Sequence, residues 1–450
     1  MNLKRHSAVS GSVSARRWTT GCAAVALSMG SAAAAPAEAA GPPPNAAPVA
    51  AVAEPFATPA KGDEPGEVKT PSSTGETPSP AAPDARSPAA HFSVVYKADI
   101  QGVASGGAKQ GARYVDNLGV SADLDLDRLV GLQGATVRVV AMNNLGGLAS
   151  DLTGAQLGVN NDEATDHRLR LTQAWVQESL ASGKVSALAG FYDLVSEFEV
   201  ADSAGLLMSP TFGTSAEFAA SGPAGLPSFA ETAFAVRLRV QPKETQYLQL
   251  ALSNARASVF GDRAGPSFTF SDGVLFVAEA GYTGWGKIAA GVWSYSKRQP
   301  GVRTLQDGGA VQARVSRGIY ALMEYALNAP MDDLRKVTLF AKLGLSDGRT
   351  TAFRGSWQAG VLVDHLFASR PESQLSMGVS EGRLSNGFRA NARDQGLAGG
   401  ASETVFEFTY SDRIAPHLSL QPDLQWIHNP SGDHGLKDAL VLGLRTTIGF

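Results

Sequence analysis

Length, composition and charge exclude several classes of protein. The chain has 450 residues, a formal net charge of -4 and 18% charged residues, which argues against a basic protein that binds nucleic acid. Its single cysteine, Cys22, lies in a segment that we expect to be removed, so the mature chain should carry no disulfide. No group of His, Cys or carboxylate residues has the spacing of metal ligands, and we expect neither a metal nor a cofactor.

The N-terminus has the layout of a secretory signal peptide. Basic residues among the first 17 positions precede an apolar stretch at 22–35, and the small-residue site Ala37-Glu38-Ala39 follows it. This order of charge, apolar segment and cleavage site predicts export. We place the signal peptide at residues 1–39. A twin-arginine signal at Arg16-Arg17 is the alternative, but the residues after that pair match it poorly.

Residues 40–90 differ in composition from everything that follows. They are rich in Ala, Pro, Glu, Ser and Thr, and such a segment buries too little apolar surface to offset the entropy lost on ordering. We expect a disordered periplasmic linker that acts as a spacer. A tether to the cell wall is the alternative, although no motif supports it.

Residues 91–450 show the alternation of β-strands. The clearest case is 118–126, where apolar residues from Leu118 to Leu126 alternate with Gly119, Ser121, Asp123 and Asp125. A similar alternation occurs at 234–240 and 337–346. Beyond the signal peptide no apolar run is long enough for a membrane-spanning helix, so a closed β-barrel is the remaining way to cross a bilayer. A soluble β-sandwich would show the same period of two residues.

The lengths of the connections favour the barrel. Short connections at 131–134, 181–184, 242–246, 283–286 and 367–373 alternate with longer ones such as 145–166 and 197–230. This rhythm of short periplasmic turns and long external loops is typical of bacterial outer-membrane barrels. We predict an all-β, antiparallel transmembrane barrel of 16 strands, with one long strand over 310–327. Counts of 14 or 18 stay open, because residues 316–319 could hide a turn.

The last strand supports the same interpretation. Leu440, Leu442, Leu444 and the terminal Phe450 share one face, and Val441 and Arg445 belong to the other. A C-terminal strand that ends on an aromatic residue resembles the assembly signal of outer-membrane barrels. We therefore expect the barrel-assembly machinery to be a partner through the strand ending at Phe450, and outer-membrane lipid to surround the barrel.

Four sequence runs resemble one known family. They are LQPDLQWIHNP at 420–430, DALVLGLR at 438–445, QAWVQ at 173–177 and AGFYD at 189–193. Together they are similar to the carbohydrate-selective porins of the OprB family, over roughly residues 92–450. The resemblance implies a 16-stranded barrel in the bacterial outer membrane that passes small neutral sugars down their gradient without an energy source. One departure is the long Ala/Pro-rich segment before the barrel.

Sugar selectivity requires planar hydrogen-bonding groups and aromatic faces inside the channel. The pleat places Arg237, Arg239 and Glu279 on the lumen side, because their neighbours on the chain are apolar. Asp423 and Gln425 share the lumen side if Leu420 and Trp426 face lipid. For each of these residues a solvated wall position is the alternative.

Aromatic residues and the long loop at 197–230 complete the candidate channel. Trp175 is a candidate sugar platform, with a packing role as the alternative. We interpret Tyr282, Trp285, Trp293 and Trp426 as interfacial belt residues near strand ends. The 197–230 loop could fold inward and narrow the pore, or it could lie on the surface.

Other functions remain as alternatives. A porin for anions or for general solutes would also use lumen arginines, but we infer lumen charges of both signs. An outer-membrane hydrolase is disfavoured, because no G-x-S-x-G motif is present and the histidines lie in no nucleophile motif. The sequence leaves the oligomeric state open between a monomer and a homotrimer.

Overall fold

The computed structural model describes residues 88–164, 167–263, 265–304, 312–327, 335–397 and 399–450. The predicted signal peptide (1–39) lies outside the described residues. So does the predicted linker (40–90), except for its last three residues. Both segments therefore stay predictions.

Sixteen antiparallel strands form one closed barrel, in which every strand pairs with its neighbours in sequence and β1 closes against β16. The predicted strand count is confirmed, and residues 316–319 lie within a single strand, β10. The strands are β1 Ala90–Ser105, β2 Gly111–Asp125, β3 Ala135–Gly146, β4 Leu169–Leu180, β5 Val185–Tyr192, β6 Ala233–Lys243, β7 Gln246–Asn254, β8 Val274–Tyr282, β9 Lys287–Gln299, β10 Arg314–Leu327, β11 Lys336–Ser346, β12 Phe353–Asp364, β13 Gln374–Leu384, β14 Ser402–Ala415, β15 Leu418–His428 and β16 Ala439–Gly449.

In the connections that the structure describes, four short α-helices are present: α1 Leu126–Val130, α2 Ser150–Thr153, α3 Ala216–Ala219 and α4 Asn386–Asp394. Helix α1 corrects the sequence interpretation, which continued the second strand through Leu126. The strand ends at Asp125 because its side chain accepts hydrogen bonds from the backbone N–H groups of Asp127 and Arg128, at 3.0 and 3.3 Å, and so caps a helix;. Among the described residues, no helix is both long enough and apolar enough to span a bilayer.

The two faces of the strands meet different environments. On β11, the outward Leu343 and Leu345 are 50% and 47% exposed, whereas the inward Lys342 is 3% exposed. On β16, Leu442 and Leu444 are exposed and Arg445 is buried. A closed barrel with an apolar outer wall and a polar inner wall satisfies all of its strand hydrogen bonds within a bilayer.

The connections alternate in length around the barrel. Short connections at 181–184, 244–245 and 416–417 lie at one end, and longer ones at 147–168, 193–232, 255–273 and 385–401 lie at the other. Both β1 and β16 meet the end with short connections, because Val95 pairs with Gly449. The predicted rhythm is confirmed, and it identifies the short-connection end as the periplasmic one.

Candidate functional site

The loop between β5 and β6, residues 193–232, folds into the lumen. Along its course it contacts inward side chains of strands from β6 to β15, including Arg237, Glu324 and Gln421. Helix α3 within this loop packs on β11 and β12. The β5–β6 loop therefore narrows the channel, as one of the two interpretations of its sequence predicted.

Carboxylates of the barrel wall hold this loop by its backbone. Glu279 accepts a hydrogen bond from the N–H of Glu199 at 2.8 Å. Glu324 accepts from the N–H of Ser203 at 2.7 Å, and from its hydroxyl at 2.5 Å. Buried carboxylates need such donors, because an unpaired buried charge costs several kcal/mol. The wall acids thus act as brackets for the loop.

Further brackets lie along the same path. Glu407 accepts hydrogen bonds from the N–H groups of Met208 and Ser209. A cationic wall residue holds the loop as well: the Lys342 ammonium group donates a hydrogen bond to the carbonyl of Gly213 at 2.5 Å. The loop is therefore held at intervals from β8 to β14 rather than at its ends alone.

Aromatic packing holds helix α3 of the β5–β6 loop against the inner wall. Phe218 of α3 stacks on Trp293 with ring centroids 5.0 Å apart, and on Tyr320 at 6.3 Å. Trp293 is 1% exposed. The interpretation of Trp293 as a belt residue was wrong, because its side chain lies inside the barrel beneath the loop. Trp426 and Trp285, at 43% and 57% exposed, lie on the outer surface as expected.

A second inserted loop was not found from the sequence. The β3–β4 loop, residues 147–168, contacts the lumen side of the strands on either side of the closure. Asn160 donates to Asp99 of β1 at 2.7 Å, and Gln425 of β15 donates to the carbonyl of Val159 at 2.8 Å. Glu403 of β14 accepts from the N–H of Leu157 at 2.8 Å. The two loops also meet, since the N–H of Asn161 donates to the carbonyl of Met208.

A charged network joins this loop to the closure of the barrel. Arg445 of β16 makes two hydrogen bonds to Asp99 of β1, at 2.9 and 2.8 Å, and lies 2.7 Å from a carboxylate oxygen of Asp162. Lys97 lies 3.4 Å from Asp162. Arg445, Asp99 and Asp162 are each at most 5% exposed. The first strand, the last strand and the β3–β4 loop therefore share one buried cluster.

Four of the six predicted channel residues lie beneath the inserted loops. Arg237 is 2% exposed and pairs with Glu197 of the β5–β6 loop at 2.7 Å. Glu279, Asp423 and Gln425 are 2%, 5% and 0% exposed. The pleat correctly gave the inward direction of these side chains, but the loops cover them.

The other two predicted residues keep surface towards the lumen. Arg239 is partly buried, donates to Gln249 at 3.0 Å and lies over the ring of Tyr247, 4.5 Å from its centroid;. Trp175 is also partly buried. It lies opposite Gly190, where a Cβ would come within 2.7 Å of the tryptophan Cβ. A glycine at this position leaves room for the ring on the inner wall.

Charges of both signs line the space that the loops leave. Asp202 of the β5–β6 loop, 35% exposed, lies 3.5 Å from Lys287 of β9. On β2 and β3, Asp123 and Arg138 pair at 2.8 Å with 40% and 24% of their side chains exposed. The accessible lumen therefore offers hydrogen-bond donors and acceptors without a single dominant sign.

A family model described as carbohydrate-selective porin, OprB family, matches residues 109–450. The chain belongs to the OprB family. This OprB-family chain is similar to Porin B of Pseudomonas aeruginosa, with 25% identity over 132 residues, which are 26% of this chain and 29% of that protein. The match thus spans less than a third of that relative's length.

Solved structures are similar to this OprB-family barrel as well. The high-pH structure of Pseudomonas putida OprB matches with a TM-score of 0.73 and 19% identity, covering 80% of this chain and 94% of that one. The low-pH structure of the same protein matches with a TM-score of 0.50 and 17% identity, covering 80% and 93%. The resemblance inferred from the sequence is confirmed. Family and fold are those of an outer-membrane channel rather than an enzyme.

Three acidic residues of the β5–β6 loop in this OprB-family barrel have raised pKa values: Asp193, Glu199 and Glu217. Burial raises the pKa of Glu217 to about 8, and Ser356 donates to its carboxylate at 2.9 Å. Burial likewise raises the pKa of Glu199 to about 7, and the backbone N–H of Ser215 donates to it at 2.9 Å. Within the described part of the chain, no group of three or more His, Cys, Asp or Glu residues could hold a metal ion.

These shifts predict that the loop is attached less firmly at high pH. A carboxyl group whose folded-state pKa is raised above its ordinary 4.5 stabilises the fold fully below that value, and the contribution is lost as pH rises through about 8 for Glu217;. We expect protease cleavage within the β5–β6 loop to accelerate between about pH 5 and pH 8. Glu217→Gln should remove the upper part of this rise, and Asp151→Asn at an exposed position should leave it unchanged. A flat profile in the unmodified protein would contradict the prediction.

Proposed function

We propose that the protein is an outer-membrane porin for passive, carbohydrate-selective diffusion of small sugars into the periplasm. The observation that carries the proposal is a family-matched 16-stranded barrel whose lumen is narrowed by two inserted loops. Such a barrel without inserted loops encloses a wide aqueous channel. The loops reduce it to a passage where a solute must exchange part of its hydration for contacts with the wall.

The chemistry of the remaining passage suits neutral polyols. Paired charges such as Asp202 with Lys287 and Asp123 with Arg138 present both acceptors and donors to hydroxyl groups. Arg239 adds a planar guanidinium group, and Trp175 adds a ring face for the apolar side of a sugar. We propose Arg239 and Trp175 as direct sugar contacts. Arg237, Glu279, Asp423 and Gln425 then act on sugars through the loops that they hold.

A porin for anions or for general solutes is the second candidate. An anion channel favours an excess of lysine and arginine along its narrow part. Here three cations of the lumen have acidic neighbours, since Lys287 lies beside Asp202 and Glu324, Arg138 beside Asp123, and Lys97 beside Asp162. Arg239 instead contacts Gln249 and Tyr247. The acidic neighbours of the other three cations lower the attraction for anions and favour the sugar proposal.

Solute flux distinguishes the two candidates. We expect liposomes that contain the purified protein to swell faster in glucose or xylose than in amino acids of similar size, and sugar to reduce the single-channel ion current. Arg239→Gln should weaken this block by sugar roughly tenfold, since a charge-assisted hydrogen bond is lost. Lys109→Gln, at an exposed site in the β1–β2 connection, is the matched control. Block by phosphate or chloride, with no effect of sugar, would favour the anion porin.

Assembly through the last strand is part of the same proposal. Phe450 is 62% exposed at the periplasmic end, and His417 stacks on its ring with centroids 5.0 Å apart. We propose that the barrel-assembly machinery recognises this exposed aromatic terminus. The oligomeric state stays open between a monomer and a homotrimer, and the lack of catalysis and the spacer role of residues 40–90 stay predictions.

A further inference from the structure

Arginine residues end the outward rows of four of the five strands from β9 to β13 at the external end of the barrel. On β10 the outward row reads Met323, Ala321, Ile319 and then Arg317. On β13 it reads Leu375, Met377, Val379, and then Glu381 and Arg383. The same end of β9 and β12 carries Arg298 and Arg354. All four arginines are exposed, and we call Arg298, Arg317, Arg354 and Arg383 the arginine sector.

The strand register places the sector at the external edge of the apolar band. Arg383 pairs with Gly355, Gly355 with Leu345, and Leu345 with Ile319, so Arg383 shares a row with outward apolar residues, and Arg317 lies two residues beyond that row. Arg354 is the extra residue where the register shifts between Phe353 and Gly355. Four strand spacings of about 4.8 Å give the sector a width of roughly 19 Å.

The sector is predominantly positive. Within the part of the chain that the structure describes, Arg298, Arg317 and Arg354 make no ion pair, and Arg383 pairs with Glu381 at 2.9 Å. Described acidic residues near this edge include Asp347, which is exposed in the β11–β12 connection, and Asp272 beside β9, which pairs with Arg256 at 3.2 Å.

The rest of the external edge differs in chemistry. Described outward residues near the same end of β1, β14 and β16 are uncharged, as at Ile100, Thr404 and Leu440, and on β2 the outward Asp116 accepts hydrogen bonds from Tyr96 and Tyr114. On β15, His428 pairs with Asp438 at 2.9 Å. The exposed arginines on β9, β10, β12 and β13 thus contrast with the uncharged or acidic outward residues on β1, β2, β14 and β16.

We propose that the arginine sector binds the phosphate groups of glycolipids in the outer leaflet. Its side chains leave the barrel where the hydrocarbon band ends, which is the depth of lipid headgroups. Guanidinium groups bind phosphate through two parallel hydrogen bonds, and these bonds strengthen where water is scarce. The lipid tails would lie against the apolar rows below the same arginines. This site is independent of the sugar pathway, because the sector lies on the opposite face of the strands.

Binding of a defined lipid tests the proposal with the full-length folded protein in detergent. We expect lipid A with two phosphates to bind more tightly than monophosphoryl lipid A, and phosphatidylcholine to bind weakly, as measured by native mass spectrometry. The variant R298Q/R317Q/R354Q/R383Q should lose roughly tenfold or more in affinity for lipid A. The variant R128Q/R335Q/K336Q/R413Q removes the same number of charges at the periplasmic end and should retain the wild-type affinity.

Several outcomes would overturn the inference. Equal loss in the two variants would show attraction to net charge alone. Displacement of lipid A by an equal concentration of inorganic phosphate would indicate a site for free anions. If the quadruple arginine variant failed to fold, equal binding of lipid A and phosphatidylcholine by the unmodified protein would also reject the proposal. Sugar-dependent swelling, measured in parallel, should be the same in the folded variants, so failure here is separable from failure of the porin proposal.

Discussion

Removing the inserted part of the β5–β6 loop should increase the single-channel conductance several-fold and abolish the discrimination between sugars and other small solutes. In the variant that we envisage, a short Gly/Ser linker replaces residues 199–220. The change removes the segment bracketed by Glu279, Glu324 and Glu407. The wall would then enclose a wider aqueous passage, because a 16-stranded barrel is open when no loop enters it.

A loop on the outside of the same barrel supplies the control. Phe268 of the β7–β8 loop packs on Phe191 and Phe234, with ring centroids 5.3 and 5.5 Å apart, and Phe234 belongs to the outward row that contains Val236 and Leu238. Replacing residues 265–269 with a short linker, which keeps the ion pair between Asp262 and the buried Arg170, should therefore leave conductance and sugar block unchanged. Planar-bilayer recordings would measure both variants. A β5–β6 variant with unaltered conductance would show that this loop does not limit the passage.

Replacing Arg445 with leucine should destabilise the barrel by about 3–5 kcal/mol, which is typical when one partner of a buried ion pair is removed. The substitution leaves Asp99 and Asp162, both at most 5% exposed, without their main counter-charge. Lys97, 3.4 Å from Asp162, compensates only part of this loss. Equilibrium unfolding by guanidinium chloride in detergent, followed by tryptophan fluorescence, would measure the effect.

Two further variants serve as controls for the stability loss expected in Arg445→Leu. Arg138→Leu breaks the more exposed pair with Asp123 and should cost no more than about 1 kcal/mol, because water screens such pairs. The combined variant D99N/D162N/R445L removes the stranded charges and should recover a large part of the lost stability. If Arg445→Leu were as mild as Arg138→Leu, the closure network would not stabilise the fold.

The fold was largely predictable because the two faces of each strand meet two different environments. Alternation such as that from Leu118 to Asp125 gives both the strand and its outward face. The lengths of connections gave the even strand count and the orientation. Helix α1 was missed because Asp125 fits the alternation and also acts as an N-cap, and the helix cap prevailed.

The candidate site was predictable only in part. Parity gave the inward direction of Arg237 and Glu279, but it carries no information on the depth of a residue or on what covers it. Their partners Glu197 and Glu199 lie 40 and 80 residues away in a loop without periodicity. The alternation of β9 predicts the inward direction of Trp293, because Trp293 shares its face with Gly291 and Tyr295 while Val292 faces outward. The belt interpretation of Trp293 rested instead on the preference of tryptophan for membrane interfaces.

The brackets that hold the β5–β6 loop have a consequence for how such channels diverge. Glu279, Glu324 and Glu407 grip main-chain amides of Glu199, Ser203, Met208 and Ser209, and every amino acid except proline provides such an amide. These wall carboxylates can therefore hold the loop with almost any side chain at the bonded positions. Side chains at the rim, such as Asp202 and Leu206, are free to be exchanged, and new solute preferences can evolve while the outline of the aperture is inherited intact.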